Sequence, residues 1–171
     1  VGAHLAEVGN LQVLCGPAAS GDWTGVDPAE VVGVVDELAE FRPVVVNLPA
    51  GPPRAHPHGA VTAADVSRAL LSEVGTCVLV TTANPIGVTR TIEWLAAADP
   101  VPDRTHLAVN RVPSSLFRRS ETRLELEKAL ELPVWLLPED AAVSKAAWSG
   151  NLVPGGRFRR ATRRLATAVA A

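Results

Sequence analysis

The sequence predicts an α/β fold: a doubly wound, mostly parallel sheet of about five strands with helices on both faces. Three observations carry this. Short apolar runs alternate with longer segments of helical periodicity along the whole chain. Most of these runs are apolar throughout rather than alternating, as strands buried on both faces are. The 171 residues, 47% hydrophobic and 20% charged, suit one globular domain and exclude a disordered or fibrous chain.

The predicted strands are residues 11–15 (LQVLC), 43–48 (PVVVNL), 76–81 (TCVLVT), 106–110 (HLAVN) and 133–137 (PVWLL). Helices are expected over 28–40, 62–73, 87–98, 114–130, 139–149 and 158–170. Asp27-Pro28 is a start signal, an N-cap residue followed by the imino acid that tolerates the first helical position. Ser115 and Ser120 are further cap candidates, and Gly150 is placed to close the helix before it. Residues 50–60 (AGPPRAHPHGA) form the least structured stretch. In open α/β sheets ligands bind beyond the carboxyl ends of the strands, so the residues following each run are the candidates for a site.

The formal charge of −2, from 16 basic and 18 acidic residues, excludes a global electrostatic grip on nucleic acid or anionic lipid. Lys128 and Lys145 are the only lysines; the remaining basic residues are arginines, as GC-rich coding produces. Cys15 and Cys77 lie in apolar runs and are expected to be buried thiols of a reducing, cytoplasmic protein. No run reaches the length of a membrane span and no signal peptide is visible. The chain has no Met and starts at Val1, so we expect a single α/β domain over 1–171 that is a fragment of a longer one.

Individual motifs are weak on their own. Gly16 and Gly21 have the spacing of a phosphate loop, but Asp22 and Trp23 replace its Lys and Ser/Thr. A carboxylate there would repel phosphate, and the segment reads as an exposed turn. In VVVNLPAG, Asn47, Pro49 and Gly51 occupy a strand end where many nucleotide hydrolases place an Asp that organises Mg²⁺. An amide lacks the charge for that task. Asn110-Arg111 and Pro138-Glu139-Asp140 follow two later strands and can present amide and backbone groups to a base edge, or simply end a strand and start a helix. Ser114, Ser115, Arg118 and Arg119 cluster at a helix start, where an anion can sit, although such clusters are usually solvated helix ends. His56, His58 and His106 have no metal-ligand spacing, and no catalytic centre or metal site is expected. The last helix carries Arg157, Arg159, Arg160, Arg163 and Arg164 opposite a thin apolar face. It can close the fold on the sheet or lie on DNA or an anionic membrane.

Taken in order, an LxVL-type strand (residues 11–14) with a Gly/Pro loop leading to a helix, then VVVNLPAG, CVLVTTANPIGVTRTIEWL, HLAVNRV and LPVWLLPEDAAVSKAAWSGNLV resemble the C-terminal two-thirds of the MinD/ParA family of deviant-Walker-A P-loop ATPases. The nearest subgroup is the CpaE-like proteins of pilus and septum-site systems. The resemblance covers roughly residues 11–170. It implies a P-loop NTPase-like fold that lacks its phosphate-loop strand here. It implies nucleotide binding through Asn47, Pro49, Gly51, Asn110, Arg111, Pro138, Glu139 and Asp140. ATP and Mg²⁺ are expected only where a phosphate loop lies upstream, and no ATP hydrolysis is expected from this chain alone. The implied role is spatial organisation (pilus assembly, septum placement or partition) by nucleotide-gated dimerisation or partner binding, in the cytoplasm or peripheral to membrane or nucleoid. No small-molecule substrate is identified. The alternatives are a receiver-like interaction scaffold, whose acidic cluster and phospho-accepting Asp are missing here, or a surface binder using the Arg-rich helix.

Overall fold

The protein is described by a computed structural model over residues 5–8, 11–16, 25–50, 61–98 and 101–171. Its elements, in chain order, are β1 (Leu5–Val8), β2 (Leu11–Leu14), α1 (Pro28–Ala39), α2 (Ala63–Glu73), β3 (Thr76–Thr82) and α3 (Pro85–Ala97). Then follow β4 (Arg104–Val112), α4 (Leu116–Leu130), β5 (Val134–Pro138), α5 (Ala141–Trp148) and α6 (Gly156–Ala170). They fall into two units, Val1–Val74 with Ala97–Pro100, and Gly75–Ala96 with Val101–Ala171.

In the first unit two expectations change. Residues 11–14 do not join a parallel sheet: β2 pairs antiparallel with β1, from Leu5↔Leu14 to Val8↔Leu11. The signal was the two residues Gly9-Asn10 between the runs, a hairpin-type spacing. Hairpin pairing is local, so it forms without help from distant strands. Residues 43–48 are extended but pair with no strand among the described residues. Val45 is 94% exposed there. Apolar β-branched residues make a segment competent for a sheet, but only a partner ladder makes it a strand. The helices behave as read. Asp27 Oδ1 accepts from Ala29 N (2.9 Å) to cap α1. At α2, Asp65 Oδ2 accepts from Thr62 N (2.9 Å) and from Thr62 Oγ1 (2.7 Å). These bonds hold the Asp65 carboxyl below its ordinary range, the hydroxyl first and the N–H second; slight burial opposes them and the Arg68 charge assists.

The second unit carries the α/β architecture. β3, β4 and β5 form a parallel sheet in that order. The register aligns Leu79 with Leu107 and Leu107 with Val134, and next Thr81 with Val109 and Val109 with Leu136. Leu107, Val109, Val112, Leu126 and Val134 form the buried cluster, with Val88 of α3 and Leu130 of α4 packed against it. Ala108, pointing to the opposite face, is also fully buried, so the central strand is covered on both sides. Truncating a side chain such as Leu107 would cost roughly 2–5 kcal/mol. α6 packs along β5. Its last turn is held at the amino end of β4, where Arg104 Nη2 donates to Val169 O (3.2 Å). A cation at a helix C-terminus is favourable.

The buried-thiol expectation is corrected: Cys15 is exposed and Cys77 is only half-buried, both as free cysteines. The reason is that a two-stranded hairpin buries no face around Cys15. Burial pushes the Cys77 thiol up from its ordinary value.

Candidate functional site

The carboxyl ends of β3, β4 and β5 meet along one rim of the parallel sheet. Ala83 N donates to Asn110 O (3.2 Å), and Glu139 N donates to Val112 O (2.9 Å). Three strand ends, 82–84, 110–112 and 138–140, are thereby tied side by side. Five of the sequence-predicted residues, Asn110, Arg111, Pro138, Glu139 and Asp140, sit on this rim.

β4 reaches the rim through a bulge. Its pairing with β5 shifts between Val109 and Val112, so Asn110 and Arg111 together oppose Leu137. Arg111 takes φ 55°, the left-handed region that a β-carbon disfavours. Asn110 Oδ1 accepts from Arg111 N (2.8 Å) and steadies that turn. The extra residue resets the in–out alternation. Val112 returns to the core beside Val109, while the Arg111 guanidinium is left exposed at the mouth of the rim. Among the described residues, nothing accepts from the Asn110 side-chain N–H groups.

β3 reaches the rim through a tight strand-to-helix turn. Asn84 Oδ1 accepts from Gly87 N (2.8 Å), and Val88 N donates to Asn84 O (3.1 Å), so Asn84 caps α3. Pro85 occupies the first helical position. A Cβ at Gly87 would overlap the Thr82 carbonyl oxygen and stand 2.7 Å from Thr82 Oγ1 and 2.9 Å from Thr81 Oγ1. Gly87 thus lets the helix sit directly on the strand end. Sequence reasoning missed this device, although N-P followed two residues later by Gly carries its signal.

On the β5 side, Asp140 Oδ1 accepts from Ala142 N (3.0 Å) and caps α5. Part of its hydrogen-bonding capacity is therefore structural. Gly156, at φ 97°, opens α6 beside it, since a Cβ there would lie 3.1 Å from Asp140 Oδ2. Pro138 is buried, and Glu139 is exposed.

The remaining predicted residues lie elsewhere. Asn47 and Pro49 are exposed in the unpaired segment of the first unit, and Gly51 lies outside the described residues. Gly21, Asp22, Trp23, His56 and His58 also lie outside them. His106 accepts at Nδ1 from Trp135 Nε1 (3.2 Å), a bond within the sheet rather than a ligand position. Ser114 and Ser115 are exposed; the side chains of Arg118 and Arg119 are outside the described set. Arg157, Arg159, Arg160, Arg163 and Arg164 are all exposed on α6.

Among the described residues, no three His, Cys, Asp or Glu side chains come together as a metal-ligand group.

Over 94% of this chain, the structure superposes on the crystal structure of a ParA family ATPase from Chlorobium tepidum TLS, with a TM-score of 0.68 and 16% identity. The chain spans 65% of the length of that protein. No protein-family model and no curated protein matches the sequence. The likeness thus establishes a ParA-like, P-loop NTPase type of α/β fold.

Proposed function

We propose that this chain is the base-recognising part of a degenerate or truncated ParA/MinD-like ATPase domain of the CpaE type. It acts in spatial organisation (pilus assembly, septum placement or partition) by nucleotide-gated dimerisation or partner binding. The observation that carries this reading is the bulge at Asn110-Arg111 beside Pro138–Asp140, on the rim where an α/β sheet takes its ligand. In this reading the Asn110 amide donates to a ring nitrogen of the base, and Arg111 stacks on it or pairs with its sugar-phosphate. Glu139 borders the same edge. Asp140 acts as a positioning residue through its cap on α5.

Among the described residues no carboxylate set for Mg²⁺ comes together, and this reading assigns them no hydrolytic step. Two features support an incomplete nucleotide fold. Val80, in the middle of β3, is 63% exposed, and no strand pairs with the outer edge of β3 among the described residues. Residues 43–48 are extended and likewise pair with no strand among the described residues.

The test is a titration of adenosine and AMP into isotope-labelled protein, followed by amide chemical shifts. Shifts at 110–112 and 138–140, weak in affinity and reduced in Asn110→Ala, are expected. Calorimetric titration of ATP and ADP accompanies it, with no micromolar binding expected. Shifts confined to other segments would end the base-binding reading. Micromolar ATP binding would end the view that the phosphate half is missing.

A second reading rests on α6. Its five arginines lie within about 160° of the helix circumference at 100° per residue, and none is in an ion pair among the described residues. They form a basic strip suited to an anionic surface.

A further inference from the structure

The strands β4 and β5 show one face to the buried cluster and the other to α6. Leu107, Val109 and Val134 project into the cluster, which Leu126 and Leu130 of α4 complete. By alternation, Arg104, His106 and Ala108 of β4 and Trp135 of β5 project to the opposite face. α6 packs on β5 there, and Arg104 Nη2 donates to Val169 O (3.2 Å). α6 therefore runs from Asp140, at the carboxyl ends of the strands, to Arg104, at the amino end of β4. Trp135 is level with Ala108. That is about 13 Å along β4 from Arg104, which places Trp135 under the middle of the helix.

Trp135 Nε1 donates to His106 Nδ1 (3.2 Å), with the ring centroids 6.2 Å apart and the planes tilted by 56°. An indole N–H can only donate, so Nδ1 carries no proton and the His106 ring is neutral, with its hydrogen on Nε2. A second proton would go to Nδ1, turn that nitrogen into a donor and break the bond. Among the described residues no carboxylate lies within ion-pair distance of His106 to receive the new charge. On β4 the charged neighbour on the same face is Arg104, two residues away. On β3 the facing residues are Thr76, Val78 and Val80, with Val78 the register partner of His106. The packed side of α6, with Phe158, Ala161, Leu165 and Val169, carries no charge, and its five arginines are exposed. Its carbonyl end is already engaged by Arg104. Protonation would thus set an imidazolium near a guanidinium, without a counter-charge. α6 is also lightly held, since none of its residues is fully buried. A helix attached in this way opens on a small change in free energy.

We infer that the His106–Trp135 pair is a proton-operated latch under α6: the neutral imidazole holds the indole in the surface on which the helix packs, and protonation of Nδ1 releases it and loosens α6 from the sheet. Histidine is the side chain that changes charge between about pH 5 and 8. The bond needs the neutral ring, so the latch is closed on the alkaline side of the imidazole titration and open on the acid side. Loss of one neutral hydrogen bond shifts a local opening equilibrium roughly fivefold. The helix that responds carries the chain's arginine strip, so the proton sets how firmly that strip is fixed to the fold.

The experiment follows the isotope-labelled whole chain by nuclear magnetic resonance from about pH 8 to about pH 5. The imidazole nitrogens of His106 and the indole N–H of Trp135 report the bond. Amide-exchange protection over 158–169, corrected for intrinsic exchange, reports the helix, with 122–130 of α4 as the internal control. Expected are an unprotonated Nδ1 at the alkaline end and an indole shift that titrates together with the ring. Protection of α6 should fall roughly fivefold on the same curve, while α4 stays constant. Trp135→Phe keeps the aromatic ring and removes the donor, so its α6 protection should be low at the alkaline end and flat with pH. His106→Asn places an amide oxygen near the position of Nδ1, so its α6 protection should stay high and flat, with far-UV circular dichroism unchanged. A protonated Nδ1 at the alkaline end would overturn the inference. So would α6 protection that stays constant while His106 titrates, or a pH dependence in Trp135→Phe equal to that of the parent protein.

Discussion

Replacing Gly87 with Ala tests the packing of the rim directly. The new methyl would meet Thr82 Oγ1 at 2.7 Å and Thr81 Oγ1 at 2.9 Å, as well as the Thr82 carbonyl oxygen. Both hydroxyls lie on β3, and the carbonyl belongs to backbone that cannot rotate away. In an ordinary helix the same change stabilises by about 0.5–1 kcal/mol, because Gly loses more conformational freedom on folding. Against that gain stands an overlap of the kind that costs about 1–3 kcal/mol in packed sites. The net expectation is a loss of roughly 1–2 kcal/mol, together with displacement of Asn84 and the β3 end of the rim. Gly33 in α1 is the control, since a Cβ there meets nothing within 4 Å. Gly33→Ala should stabilise, or leave stability unchanged. Urea unfolding followed by circular dichroism measures both, and amide exchange at 82–88 locates the effect. The reasoning fails if Gly87→Ala is as stable as the parent protein, or if Gly33→Ala is the more damaging of the two.

Arg111→Gly should raise stability by about 1 kcal/mol through release of the left-handed backbone strain, while abolishing any adenosine-induced shift at 110–112; a stability loss would contradict the bulge geometry. Asp65 has a lowered folded-state value, so its contribution is complete above the unfolded value of about 3.9 and is lost as pH falls through the folded value. Asp65→Asn should therefore flatten the acid limb of stability against pH, and an unchanged limb would refute the capping role. Cys15 should react with a thiol reagent before Cys77, whose burial disfavours the thiolate. Equal rates in the folded protein would show that β3 is open at that point.

The rim was legible in part because strand ends announce themselves. Apolar runs that stop at Asn110, at Pro138 and before Asn84 locate three carboxyl ends without coordinates. The bulge was not legible: Asn-Arg after HLAV looks the same whether the strand runs straight or gains a residue. Only the pairing of Val109 with Leu136 and Val112 with Pro138 shows the insertion. Similarly, AWSGNLV reads as a helix closing at glycine. That Trp148 points into water rather than onto the sheet depends on what packs nearby.

Local chemistry fixed what local chemistry can fix. Asp27, Asp140 and Gly150 act within a few residues of themselves, so their capping roles follow from the sequence alone. The α/β class follows likewise from the spacing of apolar runs. Strand pairing is a relation between distant segments, and the tertiary structure alone decided it. It turned residues 11–14 into a hairpin strand, left 43–48 without a ladder among the described residues, and joined β3, β4 and β5 into the sheet whose edge carries the candidate site. A backbone hydrogen bond needs a partner as well as a donor, and the identity of that partner is not written in either segment by itself.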